Sequence, residues 1–95
     1  MDRVAMPFVM TSGVATRMRE DIGFAKAVIR AIKRFAKKDW GTVDEEDQAL
    51  NDQMSRSLDL GGGGMVLGAY GSGKKNKIWV IRDTERTTVL FPDEY

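Results

Sequence analysis

The chain has 95 residues, 42% of them hydrophobic, and it contains neither cysteine nor histidine. This length fits one domain with one modest core. The missing residue types exclude disulfide bonds, thiolate chemistry, the usual zinc ligands and the usual base of Ser-His or Cys-His catalysis. A formal net charge of +1 excludes a strongly basic nucleic-acid protein and a polyanion mimic. An enzyme of this composition would have to use carboxylates, lysine, tyrosine or an oxygen-ligated metal. We predict a chain that is not an enzyme and needs no metal ion or other cofactor.

The sequence also predicts no membrane segment. Its apolar runs fall short of the roughly 18–20 residues of a transmembrane helix. The first residues carry an acid, Asp2, and no long apolar stretch, so we expect no signal peptide. The lack of cysteine is compatible with a reducing compartment. We therefore predict a cytoplasmic protein that does not bind a membrane.

The amino-terminal part is predicted to be extended and then helical. Residues 4–11 are apolar and rich in β-formers, but Pro7 cannot donate a ladder hydrogen bond. This segment is therefore expected to be an edge strand or an extended lead-in. Thr11 or Ser12 can cap a short helical turn at residues 14–19.

Residues 21–40 predict the main helix, around which the rest of the chain is organised. At about 100° per residue, one half of this helix is apolar and the other half is basic, which is typical of an amphipathic helix with one solvated face. The apolar half consists of Phe24, Ala25, Val28, Ile29, Ile32, Phe35 and Ala36. The basic half consists of Lys26, Arg30, Lys33, Arg34 and Lys37. Gly41 stands where a left-handed cap would end the helix.

A second helix is predicted from the capping-box spacing of Thr42 and Glu45 to about residue 57, with acids at its positive end. Four glycines at residues 61–64 then predict a hinge. Three strand-like runs follow at residues 65–70, 77–82 and 87–91, and the middle run is apolar on both faces, as in a central strand.

These elements predict a single α+β domain, residues 1–95. Its mainly helical part, residues 1–60 with the amino-terminal extended segment, is joined by the hinge to a small antiparallel sheet of three to four strands in residues 65–91. The two principal helices are expected to pack on one face of this sheet. Trp40 and Trp79 are expected to be core anchors, because large aromatic side chains dominate small cores.

Two patterns suggest chemistry that simpler interpretations explain. Residues 68–74 match the G-x-x-x-x-G-K of a phosphate-binding loop, but Lys75 replaces the magnesium-binding hydroxyl and a strand follows instead of a helix. We interpret this segment as a glycine-rich hairpin turn. The acids of residues 44–52 lack the ligand spacing of a calcium-binding loop, and helix-start electrostatics explains them without a metal.

The basic half of the main helix is the candidate binding surface. Its simplest interpretation is a solvated face that Asp39, Asp44 or Glu46 partly screens. The alternatives are docking of an acidic protein and binding of nucleic-acid phosphates. Two lysines of the first hairpin turn extend this surface if the turn lies nearby. The predicted binding residues are Lys26, Arg30, Lys33, Arg34, Lys37, Lys74 and Lys75.

Several motifs occur in a fixed order: D-W-G at residues 39–41, E-E-D-x-x-x-N-D at 45–52, L-G-A-Y at 67–70, K-I-W-V-I at 77–81 and T-T-V-L-F-P-D-E-Y at 87–95. This order resembles a family of small proteins encoded on plasmids, conjugative elements and phages of bacteria. The resemblance covers most of the chain from residue 9 onward, and this chain departs from it at residues 58–64 and in the G-S-G-K-K turn. It implies a biological context rather than a mechanism, because it supplies no catalytic residues.

The resemblance implies a non-enzymatic protein of a mobile element. Such a protein would bind and inhibit or modulate a host protein or ribonucleoprotein, for example a defence nuclease, as anti-CRISPR proteins do. The alternative is an accessory or regulatory protein of element maintenance that binds DNA or RNA. A nuclease that uses the acids near residues 44–52 is the third hypothesis, and it lacks a general base of suitable pKa.

Overall fold

The computed structural model describes residues 8–95. Residues 4–7 of the predicted first strand, including Pro7, lie outside this range. Within it the chain is α+β, as predicted. The elements are β1 Phe8–Met10, α1 Ser12–Glu20, α2 Ile22–Ala36, α3 Glu45–Asp59, β2 Val66–Tyr70, α4 Gly73–Asn76, β3 Ile78–Arg82, β4 Thr87–Leu90 and a 3-10 turn at Pro92–Glu94.

The four strands form one sheet in the order β1-β4-β3-β2. Strands β2, β3 and β4 pair antiparallel, as predicted, whereas β1 lies parallel to β4 at the sheet edge. The sheet is therefore mixed and not wholly antiparallel. A tight turn forces its two strands to run antiparallel, but three helices separate β1 from the other strands in the chain, and a connection of that length permits a parallel pair.

The three long helices pack on one face of the sheet, which we call the helix-covered face. Helix α1 contacts β1 and β4, α2 contacts β3, and α3 contacts β2. This confirms the prediction that the principal helices share one face. The core lies between these layers and consists of Val14, Phe24, Val28, Ala31, Phe35, Trp40, Leu58, Val66, Tyr70, Ile78, Val80 and Val89.

Asp21 divides the predicted helical region into α1 and α2. Its backbone is extended, with φ −140° and ψ 103°, and its side chain accepts a hydrogen bond from the Phe24 amide at 3.0 Å. The same residue ends α1 and caps α2. The first helix is therefore longer than the predicted turn, and it begins after Thr11, whose hydroxyl accepts from the Val14 amide.

The predicted role of Gly41 as a helix cap is wrong. The left-handed residue that follows α2 is Lys38, with φ 66°. Gly41 has φ 77° because it lies against the edge of β2, where it forms a parallel bridge with Ala69. The Ala69 amide donates to the Trp40 carbonyl at 2.9 Å, and the Thr42 amide donates to the Ala69 carbonyl at 2.8 Å.

Asn51 of α3 closes the same edge of β2 one pair further along. Its side-chain nitrogen donates to the Leu67 carbonyl at 2.9 Å, and its side-chain oxygen accepts from the Leu67 amide at 3.4 Å. Asn51 is only 6% exposed. Together with residues 40–42 it pairs the outward backbone groups of β2, which an edge strand otherwise leaves without a protein partner.

The two tryptophans have different surroundings. Trp40 is a core residue, as predicted, and it packs edge-on against Phe35 with ring centres 5.2 Å apart. Trp79 lies on the opposite face of the sheet and is partly exposed, with its ring centre 5.7 Å from that of Tyr95. The prediction of a core anchor is therefore confirmed for Trp40 alone.

Candidate functional site

The candidate site lies on the side of α2 that faces away from the sheet. The buried residues of α2 are Phe24, Val28, Ala31 and Phe35, on its inner side. The exposed residues of the opposite side combine cations with two isoleucines. We call this surface the α2 outer face and define it as Ile22, Lys26, Ile29, Arg30, Lys33 and Lys37.

The two isoleucines stand out on this surface. Ile22 is 72% exposed and Ile29 is 47% exposed. Together with Lys26 and Lys33 they follow the i, i+4, i+7, i+11 spacing, which places all four on one line along the helix. Ile29 and Ala36 belong to the predicted apolar half but are exposed, because α2 contacts α1 and β3 along an arc narrower than half the helix.

Arg34, a predicted binding residue, is engaged within the chain. Its guanidinium donates to both carboxylate oxygens of Asp39, at 2.8 and 3.2 Å, and lies 5.2 Å from the ring centre of Tyr70. The Tyr70 hydroxyl donates to the backbone carbonyl of Asp39 at 2.7 Å, and burial raises the pKa of that hydroxyl. Arg34 therefore helps to join the end of α2 to β2, whereas Lys26, Arg30, Lys33 and Lys37 lie on the α2 outer face.

We expect Asp39→Asn to weaken the folded state at neutral pH and to lose this effect in acid. The Arg34 hydrogen bond, followed by the Gly41 amide, holds the pKa of the Asp39 carboxyl below its ordinary value. The carboxylate therefore adds stability above the ordinary pKa of about 4, and this contribution is lost as the pH falls through the lowered value. Because the Arg34 and Asp39 side chains are about half exposed, the expected cost at neutral pH is below about 1 kcal/mol.

Urea denaturation of the wild type and Asp39→Asn over a pH series measures this effect. The control is Asp93→Asn, at an exposed carboxylate in the 3-10 turn. The difference between wild type and Asp39→Asn should shrink toward zero in acid. A difference that stays constant down to the lowest pH would contradict the assigned role of the carboxylate.

The turn that carries Lys74 and Lys75 is held close to α2 by Arg17 of α1. The Arg17 guanidinium lies 4.3 Å from the ring centre of Phe24, donates to the backbone carbonyl of Lys75 and donates to the Asn76 side chain at 2.6 Å. The turn forms the short helix α4, and the Lys75 side chain is exposed. These contacts place the backbone of the turn beside Phe24, on the inner side of α2, and do not join it to the α2 outer face.

Of the acids predicted to screen the cations, Asp39 pairs with Arg34, which confirms that part of the prediction. Within residues 8–95 the ion pairs join Arg34 to Asp39 and join Asp59 to Lys38 and Arg82. Asp44 caps α3 by accepting from the Asp47 amide at 3.0 Å, which replaces the predicted capping role of Thr42. In the described part of the chain no ion pair therefore joins an acid of α3 to a cation of the α2 outer face.

Residues of the D-W-G motif and the N-D pair of the second motif meet at the corner between α2, α3 and β2. The Trp40 indole donates to the Asp52 carboxylate at 2.9 Å. Gly41 and Asn51 bind the edge of β2, and the Asp39 carboxylate also accepts from the Gly41 amide at 3.1 Å. These residues therefore hold the fold together. In the same described residues, no group of three or more acids is arranged to hold a metal ion.

Sequence reasoning missed the contribution of Ile22 to the candidate site. The available signal was its position one turn before Lys26 and two turns before Ile29. A helix face that only contacts water is expected to carry polar residues, so apolar residues among its cations indicate another role. Which isoleucines of α2 are buried depends on how the helix packs on the sheet, and the spacing of residues alone does not show this.

Comparison of the chain with protein-family models, curated proteins and solved structures gave no match. Across residues 8–95, none of the helices combines the length and the apolar character needed to cross a membrane.

Proposed function

We propose that this chain is a non-enzymatic binding protein that docks on a host protein or ribonucleoprotein through the α2 outer face and inhibits or modulates it. The observation that carries this proposal is the exposure of Ile22 and Ile29 on the same stripe of α2 as Lys26 and Lys33. Covering exposed aliphatic side chains with a partner is favourable, because it removes apolar surface from water. Their position within a cationic stripe supports a partner that supplies both an apolar contact and acidic side chains.

The charge distribution supports an acidic partner surface. Helix α2 carries Lys26, Arg30, Lys33 and Arg34 and no acid. Lys26 and Lys33 are seven residues apart, which corresponds to roughly 10 Å along a helix axis. A partner with carboxylates at a similar spacing would pair with both lysines while the isoleucines meet its apolar groups, which is the helix-in-groove mode of recognition.

The resemblance to proteins of mobile elements supports a host target such as a defence nuclease, as for anti-CRISPR proteins. The alternative is that the same cations bind DNA or RNA directly. Phosphate binding would use the lysines and Arg30 but would gain nothing from Ile22 and Ile29. The two functions therefore differ in what they require of the isoleucines.

Two double variants of the α2 outer face test the proposal. Tagged wild type, Ile22→Ser with Ile29→Ser, and Lys26→Glu with Lys33→Glu would each be used for affinity capture from a bacterial host lysate, with and without nuclease. We expect the wild type to retain a discrete partner after nuclease treatment. Both double variants should retain at least about tenfold less of it, because each removes one half of the docking chemistry.

Matched controls come from α3. Leu50→Ser removes an aliphatic side chain of similar exposure, 52%, and Arg56→Glu reverses an exposed charge. Both controls should capture the partner as the wild type does. Capture that nuclease abolishes, and that the isoleucine variant leaves unchanged, would favour direct nucleic-acid binding. Equal capture by all variants would place the docking surface elsewhere and overturn the proposal.

A further inference from the structure

Residues 91–95 contact three other elements of the domain, and we propose that they form a latch that holds β1 and α1 in place. When the latch is released, β1 and α1 open as one unit while the rest of the domain stays folded. We call residues 91–95 the latch segment and residues 8–20 the β1–α1 unit. The proposal does not rest on the proposed function, because the latch segment meets α2 at Phe24, on the inner side of that helix.

The β1–α1 unit adds little to the core. Within residues 8–20 the one buried side chain is Val14, and Met10 and Met18 pack against the core while only partly buried. Helix α2 alone contributes four buried side chains. Elements with few buried apolar contacts open at a lower free energy than the whole domain. The unit therefore depends on contacts made outside the core.

Glu94 joins the latch segment to the start of α1. Its Oε1 accepts hydrogen bonds from the Thr11 hydroxyl at 2.7 Å and from the Phe91 amide at 2.8 Å. Its other carboxylate oxygen lies close to the first turn of α1, because a Cβ at Gly13 would be only 2.5 Å from Oε2. Negative charge is favourable at this end of a helix, where the first amides lack helical partners. Gly13 therefore leaves room for the carboxylate.

Two aromatic residues anchor the latch segment to the rest of the domain. Phe91 stacks on Phe24 of α2, with ring centres 5.7 Å apart. Tyr95 packs edge-on against Trp79 of β3, also with ring centres 5.7 Å apart. Trp79 lies on the face of the sheet opposite the helices. The latch segment thus contacts elements on both sides of the sheet, and Glu94, between the two aromatic residues, holds the β1–α1 unit.

Release of the β1–α1 unit would change one edge of the sheet. Strand β1 lies at this edge and pairs with β4. The Thr11 amide continues the pairing by donating to the Val89 carbonyl at 3.0 Å. Without β1, β4 becomes the edge strand, and its backbone groups are available to other strands. The latch therefore keeps β4 covered.

Hydrogen exchange of the full chain at low urea concentrations tests for the unit. The protected amides of β1 and α1 should share one opening free energy, lower than that of the β3 amides. Glu94→Lys removes the acceptor and puts a cation at the start of α1, so exchange of these amides should accelerate at least about fivefold. Asp93→Lys is the matched control, because it reverses an exposed charge one residue earlier. It should accelerate their exchange less than about twofold.

Gly13→Ala tests whether the Glu94 carboxylate contacts α1. Alanine normally stabilises a helix relative to glycine, so this change should slow exchange of the α1 amides. In the wild type the new Cβ must displace the carboxylate, which offsets part of this gain. In a Glu94→Ala background that space is open. Gly13→Ala should therefore slow exchange at least about twofold more in this background than in the wild type.

Each measurement has an outcome that contradicts the proposal. If β1 and α1 exchange at the same opening free energy as β3, they do not open as a separate unit. If Glu94→Lys and Asp93→Lys have equal effects, Glu94 is not the contact that holds the unit. If Gly13→Ala has the same effect in both backgrounds, the carboxylate does not lie against α1, and the latch has no contact with that helix at Gly13.

Discussion

Gly41→Ala is expected to lower the free energy of unfolding by about 2–5 kcal/mol, the sum of left-handed backbone strain and a steric overlap. At φ 77° a side chain is strained, and a Cβ at this position would overlap the Ala69 carbonyl oxygen and lie 2.8 Å from the Tyr70 ring. The overlap falls on backbone, which cannot move without separating residues 40–42 from β2. A loss of this size is a large part of the roughly 5–15 kcal/mol that stabilises a small domain. Urea denaturation would measure it.

Gly61→Ala is the matched control for this prediction. Gly61 has a similar φ, 88°, but a Cβ there would meet nothing within 4 Å. Its substitution should therefore cost only the backbone strain, about 1 kcal/mol after allowance for the stiffer unfolded chain. Equal losses for the two variants would show that contact with β2 does not determine the requirement for glycine at position 41.

Asn51→Ala is expected to lower the free energy of unfolding by about 2–4 kcal/mol. Asn51 is buried and makes two hydrogen bonds to the backbone of Leu67. Removing its amide leaves the Leu67 carbonyl and amide without their partner at the sheet edge, and an unpaired buried polar group costs about 1–3 kcal/mol. Urea denaturation would measure the loss. Hydrogen exchange of the Leu67 amide should also accelerate more than exchange in β3.

The control for Asn51→Ala is Gln48→Ala, one turn earlier on α3. Gln48 is exposed, and its side chain donates one hydrogen bond to the Val43 carbonyl at 2.9 Å. Water can replace that bond, so the expected loss is below about 1 kcal/mol. If Asn51→Ala cost no more than Gln48→Ala, the edge contact would not contribute to stability as proposed.

The helical and strand segments could be predicted because they depend on local patterns. The spacing of apolar residues in 21–40 indicates an amphipathic helix whatever element packs against it. The ends of the helices were harder to predict. They depend on single capping residues, and the hydrophobic pattern does not show which of several candidates acts as the cap. Asp21 serves both α1 and α2 as a cap, and Lys38 takes the left-handed conformation that the sequence suggested for Gly41. The turn after α2 is therefore set by how residues 40–42 meet β2.

The candidate site was predictable in its charges but not in its apolar part. Lys26, Arg30 and Lys33 share a helical stripe that spacing alone reveals. The exposure of Ile29 could not be predicted, because it depends on the width of the contact between α2 and the sheet. Asp39 was predicted to screen part of this surface, but spacing alone did not single out Arg34 as its partner. The pair spans five residues across the end of a helix and requires the specific turn that follows.

The closed edge of β2 has a consequence for how the sheet could polymerise. A sheet with two available edges can add a strand at each and so grow into a filament. Here the outward backbone groups of Leu67 and Ala69 are already paired with Asn51 and residues 40–42. Among the described residues this leaves the β1 edge for strand addition. Joining through a single edge stops at two copies, so the corner that stabilises the fold also limits filament growth.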